Sequence, residues 1–518
     1  MNASHQRRHA VAVHNGQKPA CHSRKSIPDC ATSQVPPRPC AIFHRTVTIT
    51  MQRRNFLSLV PAGLTATYST SLGRAQTALS LTEIYHDAAS RLIGAALTDD
   101  GGWKKLEYLC DRIGNRIDGS TALTKAIEWA AGEMRREGLF NVQTPSVKVP
   151  HWVRGEESAR LIEPVDAPIA MLGLGGSVGT PAEGITAEVV AVSSFDELEA
   201  LGADKVRGKI VLYNAPWQGY GKTVQYRTTG ASRAAKLGAV ASLVRSVTPL
   251  SLRDPHTGMM VYAAGTPQTP HAAISVEDSL RIQRLLDAGN RVQVRLKMSA
   301  QTLPDADAAN VIGELPGREK PEEIVVLGGH IDSWDVGQGA QDDGSGLVAC
   351  WQAVVLLKQL NLIPRRTVRI VGWVDEEHTG AGGKAYQAWV GDAVKNHVAA
   401  IEMDGGAERP VGYGLSIHDA KDDVMNRALS RAKSIGKLLD GIGAGEMTKG
   451  GGGADIAPLM ALGVPGFGHR TVGLRYFEWH HSEADTLDKI DPKEFRLSVA
   501  SLAVLAYVLA DMTDRIDA

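Results

Sequence analysis

Residues 322–345 read EEIVVLGGHIDSWDVGQGAQDDGS. Ile324 to Leu327 form a β-branched and aliphatic run bounded by Gly328 and Gly329, long enough for a buried strand and too short for a helix. A glycine-rich loop then carries His330, Asp332, Asp335, Asp342 and Asp343. It leads into Leu347 to Leu360, which has helical length. The acidic pair therefore stands at a strand-to-helix junction, and at the carboxyl ends of strands open α/β sheets bind their ligands. One imidazole among several carboxylates repels itself unless a cation sits between them, and mixed nitrogen and oxygen donors suit zinc. Asp-Gly and Gly-Gln-Gly are also ordinary turn chemistry, so the rest of the chain decides between the two readings.

After Thr302 the α/β pattern continues to the end. Val368 to Val374 leads into Asp375-Glu376-Glu377 and a turn at Gly380 to Gly383. Ala399 to Met403 leads into Asp404, Val464 to Phe467 leads into Gly468-His469, and a last helix is predicted from Pro492 to Met512. Four places now share one grammar, an acid or histidine just past an apolar strand or in a polar loop: His330 with Asp342, Glu376 with Glu377, Asp404, and His480 with His481. A pair of zinc ions about 3.5–4 Å apart needs a bridging carboxylate, two terminal ligands on each ion and a water between them. We assign Asp342 as the bridge, His330 and Asp404 to one zinc, and Glu377 and His481 to the other. Glu376, next to a ligand but free of metal, is the general base.

The motifs His330-x-Asp332, Asp342-Asp343-Gly-Ser-Gly346, Glu376-Glu377, Asp404 and His481-Ser-x-x-Asp485-Thr486 resemble those of the M28 family of zinc peptidases, co-catalytic di-zinc exopeptidases that include bacterial leucyl aminopeptidases. The resemblance covers most of the chain after residue 80. It implies a three-layer α/β/α domain with a mixed sheet, a homodimer, and hydrolysis of dipeptides or short peptides through a metal-bridging hydroxide. GGHIDSWDVGQGAQDDG (328–344), Asp455 in GGADIAPLMALGVPG, and Phe477-Glu-Trp-His-His-Ser482 leading to Ile490-Asp-Pro492 narrow it to the plasma glutamate carboxypeptidase-like dipeptidases. Where several relatives have a tyrosine before the last ligand this chain has His480, so either Tyr476 or His480 holds the developing oxyanion. Asp332 is expected to orient His330 and Asp485 to orient His481, with a helix cap as the plain alternative for each. Asp455 reaches a substrate amine or caps the following helix. His378 is read as a solvated neighbour, and His397, His418 and His469 as structural or surface residues.

Residues 160–300 differ in character. Val189 to Val192, Lys209 to Tyr213, Val240 to Val244 and Arg291 to Leu296 are short β-branched runs between Gly-, Pro- and Asp-rich turns, with one helical piece around Ala231 to Leu237. Val206 to Leu212, Gly230 to Arg245 and Pro270 to Ser275 resemble a protease-associated domain. The expected organisation is a catalytic domain from residues 76–160 and 301–518, interrupted by this β-rich insertion at 161–300, which covers the cleft without supplying a ligand.

The 518 residues are 43% hydrophobic and 22% charged, as in a soluble globular protein. No uninterrupted apolar run approaches the ~18 residues of a membrane span. Residues 1–75 hold ten Lys or Arg and one acid, leaving 46 basic and 56 acidic residues, a net of −10, for the body. An acidic body argues against a nucleic-acid partner. Residues 1–50 lack periodicity and read as an extension outside the working protein. From Met51, paired Arg53-Arg54, a moderately apolar stretch to Leu72 and small residues near Ala75 have the layout of a cleavable twin-arginine-like export signal, which places the mature protein in the periplasm or outside the cell. Cys110 and Cys350, alone in the body, are read as buried thiols. Two rival readings remain on the same scaffold: a single-zinc glutaminyl cyclase, and a non-enzymatic binding protein like the transferrin receptor ectodomain.

Overall fold

The computed structural model describes residues 80–518; the proposed extension and export signal lie outside the described residues. Its first sheet has eight strands in the order Phe140–Gln143, Val311–Leu315, Arg366–Trp373, Lys320–His330, His397–Glu402, Gly466–Thr471, Pro410–Ser416 and Glu446–Lys449. The four central strands, from Arg366–Trp373 to Gly466–Thr471, run parallel, while Val311–Leu315 and Pro410–Ser416 pair antiparallel at their flanks, so the sheet is mixed.

The strand Lys320–His330 sits in the middle with alternating faces. Val325 and Leu327 join one hydrophobic core with the helices Leu81–Thr98, Thr121–Arg136, Ser345–Gln359 and Pro492–Asp511. Ile324 and Val326 join a second core with Tyr386, Ile456 and Leu459 on the opposite face. Helices therefore cover both faces. The helix Ser345–Gln359 is buried nearly all round, as expected of a helix apolar on every side. Each fully buried aliphatic side chain here contributes about 1.5–3 kcal/mol.

The central strand does not stop at Gly328 and Gly329 but pairs in parallel through to His330, which lies opposite Trp373. Gly328 permits this because a Cβ there would overlap the Val371 carbonyl oxygen and the Trp373 ring. The chain leaves His330 for the neighbour on one side, Arg366–Trp373, and then crosses to the other side, His397–Glu402. Such a reversal opens a crevice at the carboxyl ends of the strands.

Residues 157–298 build a second eight-stranded sheet with two hydrophobic cores of its own. The segment is not simply β-rich: besides the anticipated helix, found at Gln225–Lys236, it has helices Phe195–Val206 and Val276–Asp287. Both begin at serines whose hydroxyls accept from the N–H three residues on, Ser194 from Glu197 and Ser275 from Asp278. A two-stranded ribbon, Ser146–Val153 with Gln301–Ala309, lies at the two junctions with this segment. Cys110 and Cys350 are buried free thiols. No helix among the described residues is long and apolar enough to cross a membrane.

Candidate active site

Three of the four parallel strands lead into one crevice: Lys320–His330 ends in His330, Arg366–Trp373 precedes Glu376 and Glu377, and His397–Glu402 precedes Asp404. His330, wholly buried at the end of its strand, has Nε2 3.2 Å from Asp342 Oδ1 and 3.6 Å from Asp404 Oδ1. His481 Nε2 lies 3.2 Å from the other oxygen of Asp342 and 2.9 Å from Glu377 Oε2. Asp342 thus stands between two groups able to hold an ion: His330 with Asp404 on one side, His481 with His480 on the other. His480 was not among the expected ligands. Its Nε2 is 3.7 Å from Asp342 Oδ2, and its ring stacks on His481 at 3.5 Å.

Supporting contacts fix these side chains. Asp343 accepts from the His330 N–H at 3.2 Å and from the Gly346 N–H at 3.0 Å, tying the strand end to the first turn of the helix that follows. His330 Nδ1 faces the Asp332 carbonyl oxygen at 3.1 Å, closer than the 3.6 Å to the Asp332 carboxylate. That carboxylate instead accepts from the N–H groups of Glu376 and Glu377, both at 3.3 Å. Asp485 does not orient His481: its two oxygens accept from the N–H groups of Gln341 at 2.7 Å and Asp342 at 3.2 Å. The turn after His481 carries Asp485 back beneath the Asp342 loop, where backbone donors are the nearer partners. Arg116, fully buried, gathers the same loop by donating to the carbonyls of Ile331, Gln338 and Gly339.

His378 is not solvated. Its side chain is buried against Asp118, Nδ1 to Oδ2 2.9 Å, and Asp375 joins them in a third cluster beside the Glu376–Glu377 turn. Asp455 stays out of the cleft, buried with Glu402, and neither of its oxygens has a hydrogen-bond partner; the helix after it carries no side-chain cap. His397 bonds the Tyr386 hydroxyl at 2.9 Å, His469 is half-buried at the edge of the Tyr413 ring, and His418 is exposed.

Electrostatically the crevice is divided. Burial raises the Glu376 carboxyl well above its usual range, and Asp404 raises it further. Burial acts the same way on Asp342, yet His330 and His481 hold that carboxyl well below the usual range. Burial lifts Asp485 to about 7. Asp342 Oδ2, Glu377 Oε1 and Asp404 Oδ1 are buried with no hydrogen-bond partner. Buried carboxylate oxygens left without donors are costly unless a cation meets them, so this donor set fits divalent metal.

The crevice opens into a cleft of about 400 Å³ lined by Asp342, Glu376, Glu377, Asp404, Tyr476 and His480, together with Tyr220 and Arg227 from the 157–298 segment. Trp334 backs two of the crevice side chains: its Nε1 donates to Glu377 Oε2 at 2.6 Å and its ring lies 5.5 Å from His481. Arg116, Asp118 and Arg227 had no signal in the sequence, because each meets a residue of the site only across more than two hundred positions of chain.

The model of peptidase family M28 matches residues 310–506. Carboxypeptidase Q of Mus musculus is 42% identical over 433 residues, covering 83% of this chain and 90% of that protein. Carboxypeptidase Q of Homo sapiens is 42% identical over 431 residues with the same coverage. Among solved structures, a peptidase M28 precursor from Shewanella amazonensis SB2B superposes with a TM-score of 0.80 at 33% identity, over 83% of this chain and 98% of the other. BSAP, a zinc aminopeptidase from Bacillus subtilis, shares the fold with a TM-score of 0.59 at 20% identity, over 80% and 96%.

Proposed function

The chain belongs to peptidase family M28, and from that premise we propose that this zinc metallopeptidase is an exported exopeptidase which holds two zinc ions and hydrolyses dipeptides or short peptides. The observation that carries the reading is Asp342, whose two oxygens face opposite histidines and one of which lacks a hydrogen-bond donor. His330, Asp342 and Asp404 would hold one ion; Asp342, Glu377 and His481 the other. Glu377 is preferred to His480 as the ligand because its Oε2 is 2.9 Å from His481 Nε2 and its second oxygen is unpartnered, whereas His480 stands farther from Asp342. Bound there, zinc would polarise the scissile carbonyl and acidify water.

The chain's own residues do the rest. Glu376 faces the cleft and its carboxylate makes no hydrogen bond among the described residues. One of its oxygens takes the proton of the attacking water and returns it to the leaving amine nitrogen, a contribution of roughly 10²–10⁴-fold. Tyr476 also faces the cleft, and burial raises its phenol well above the usual value, so it stays protonated as a donor to the oxyanion. Asp332 and Asp343 keep the base and the ligands in place.

Residues 161–300, with a sheet and cores of their own, are read as a protease-associated domain. Residues 51–75 are read as the export signal, and a homodimer belongs to the same reading. The test is elemental analysis of purified protein beside a dipeptidase assay before and after chelation. About two zinc per chain, loss of activity on chelation and recovery with zinc are expected. One zinc with cyclisation of an amino-terminal glutamine would favour the glutaminyl cyclase, and full activity without metal would overturn the proposal.

A further inference from the structure

Asp118, Asp375 and His378 form a buried group that the proposed chemistry leaves unused. They meet where the loop before the helix Thr121–Arg136 touches the turn after the strand Arg366–Trp373. The Asp118 side chain is fully buried and that of His378 is 2% exposed. An oxygen of each aspartate and a ring nitrogen of the histidine lie within 4.8 Å of one another. None of the three lines the cleft. Trp334 packs against both places, with its ring 4.9 Å from that of His378 and 5.5 Å from that of His481.

The group has the marks of the crevice itself. His378 Nδ1 lies 2.9 Å from Asp118 Oδ2, the same spacing as His481 Nε2 to Glu377 Oε2. Asp118 Oδ1 is buried with no hydrogen-bond partner, as Asp342 Oδ2, Glu377 Oε1 and Asp404 Oδ1 are. His378 Nε2 also has no partner, so nothing but Asp118 holds the ring proton on Nδ1. Asp375 is better supplied: Oδ2 accepts from the Thr379 hydroxyl and from the Ala381 N–H at 2.9 Å, and Oδ1 from the Thr379 N–H at 3.3 Å, which leaves Oδ1 able to accept once more.

The charge is one-sided. The carboxyls of Asp118 and Asp375 abut, and those of Asp332 and Glu377 add negative potential around Asp118. Among the described residues neither aspartate pairs with a lysine or arginine. Arg116, close by in the chain, directs its guanidinium to the carbonyls of Gly114, Ile331, Gln338 and Gly339. Buried carboxylates side by side repel and are costly until a proton or a cation stands between them.

We propose that Asp118, Asp375 and His378 hold a further divalent metal ion of the zinc class, beyond the proposed pair, which ties the loop before Thr121–Arg136 to the turn that carries Glu376 and Glu377. One imidazole with two carboxylates suits zinc better than calcium or magnesium, which favour oxygen alone. Zinc–ligand bonds of about 2.0–2.2 Å put opposite ligands at most about 4.4 Å apart, so small shifts close these side chains on one ion. With no ligand facing the cleft, the ion is structural, and the inference does not rest on the peptidase reading.

The test dialyses the purified full-length protein to equilibrium against Zn²⁺ and measures bound zinc per chain for the wild type, Asp118→Asn and Asp342→Asn. One ion that Asp118→Asn loses and Asp342→Asn keeps is expected, with about three zinc in the wild type; His378→Gln should lose the same ion. Zinc should also raise the unfolding midpoint of Asp342→Asn and leave that of the Asp118→Asn, Asp342→Asn double variant unmoved. Wild-type protein that binds only the ions lost by Asp342→Asn would overturn the proposal without any Asp118 variant having to fold, and would put a shared proton in the ion's place. Loss of every ion from Asp118→Asn would also overturn it, since Asp118 would then be supporting the Glu376–Glu377 turn. An ion lost with Asp118→Asn, in a protein whose count Asp342→Asn does not change, would support this site while sinking the two-zinc reading.

Discussion

Asp332 holds Glu377 by its backbone: one oxygen of the buried carboxylate accepts from the Glu377 N–H at 3.3 Å, and the other accepts from the N–H of Glu376 at the same distance. A single side chain at the mouth of the central strand thereby sets the pose of a proposed ligand and of the proposed base. Asp332→Asn keeps the shape but turns an NH₂ toward one of the two donors. A buried donor left unsatisfied costs about 1–3 kcal/mol, and loss of such support typically costs 10–100-fold in activity or metal affinity. Thermal unfolding and kcat/KM measured together should show both; unchanged activity would mean that the turn is held some other way.

The proposed division of roles between two neighbouring carboxylates follows their different surroundings. Glu377 faces His481 and Trp334, while Glu376 faces the cleft. Glu376→Gln should keep about two zinc ions while turnover falls by roughly 10²–10⁴. Glu377→Gln should lose zinc and activity together. Metal analysis beside a dipeptidase assay separates the two, and metal loss confined to Glu376→Gln would reverse the assignment.

Gly328 is a packing requirement. A Cβ there would overlap the Val371 carbonyl oxygen across the parallel ladder, and the backbone has no room to yield at the centre of the sheet. Gly328→Ala should destabilise by about 3 kcal/mol or more and lower zinc content by displacing His330 two residues on. Gly405, around which nothing lies within 4 Å of an added Cβ, is the control. Equal unfolding midpoints for the two alanine variants would refute the packing argument.

His397 carries a pH signature away from the metal site. Burial lowers its imidazole from 6.5 to about 4, so between those values the unfolded chain binds a proton that the native protein does not. Stability from this group is therefore complete above about pH 6.5 and is lost as the pH falls toward 4, up to about 3 kcal/mol in all. Urea unfolding of wild type and His397→Gln across pH 7.5 to 4.5 should give a shallower acid decline in the variant. Parallel curves would place the proton elsewhere.

What could be read beforehand was local. His330, Asp342, Glu376, Glu377, Asp404 and His481 each follow an apolar run or stand in a short polar loop, and the structure brings all six to one crevice. The glycines after Leu327 look like a strand end in sequence because an isolated run cannot reveal a close neighbour such as Val371. Asp485 was assigned to the nearest histidine in the chain, whereas its partners are Gln341 and Asp342, over 140 residues away. Asp118 with His378 and Arg227 with His481 are separated by 260 and 254 positions, and neither pairing has a periodic or motif signature. The helices Phe195–Val206 and Val276–Asp287 begin at serine caps, a single-residue signal that the β-branched runs on either side outweigh in sequence.

Residues 157–298 also grip the loop that ends in the last histidines. The Thr257 N–H donates to the His481 carbonyl oxygen at 2.8 Å, the Thr248 hydroxyl to that of Phe477 at 2.6 Å, and the Ala484 N–H to Asp254 Oδ2 at 3.0 Å; His256 Nδ1 meets the His480 carbonyl oxygen at 2.6 Å. One length of backbone, 477–484, is therefore shared between the wall that carries Arg227 and the face that carries His481. A group that settled against that wall and shifted this backbone would shift His481 with it, and by linkage an ion held beside His481 would act on the binding of that group by the same factor. That coupling would be carried by two parts of the chain that lie more than two hundred residues apart in sequence.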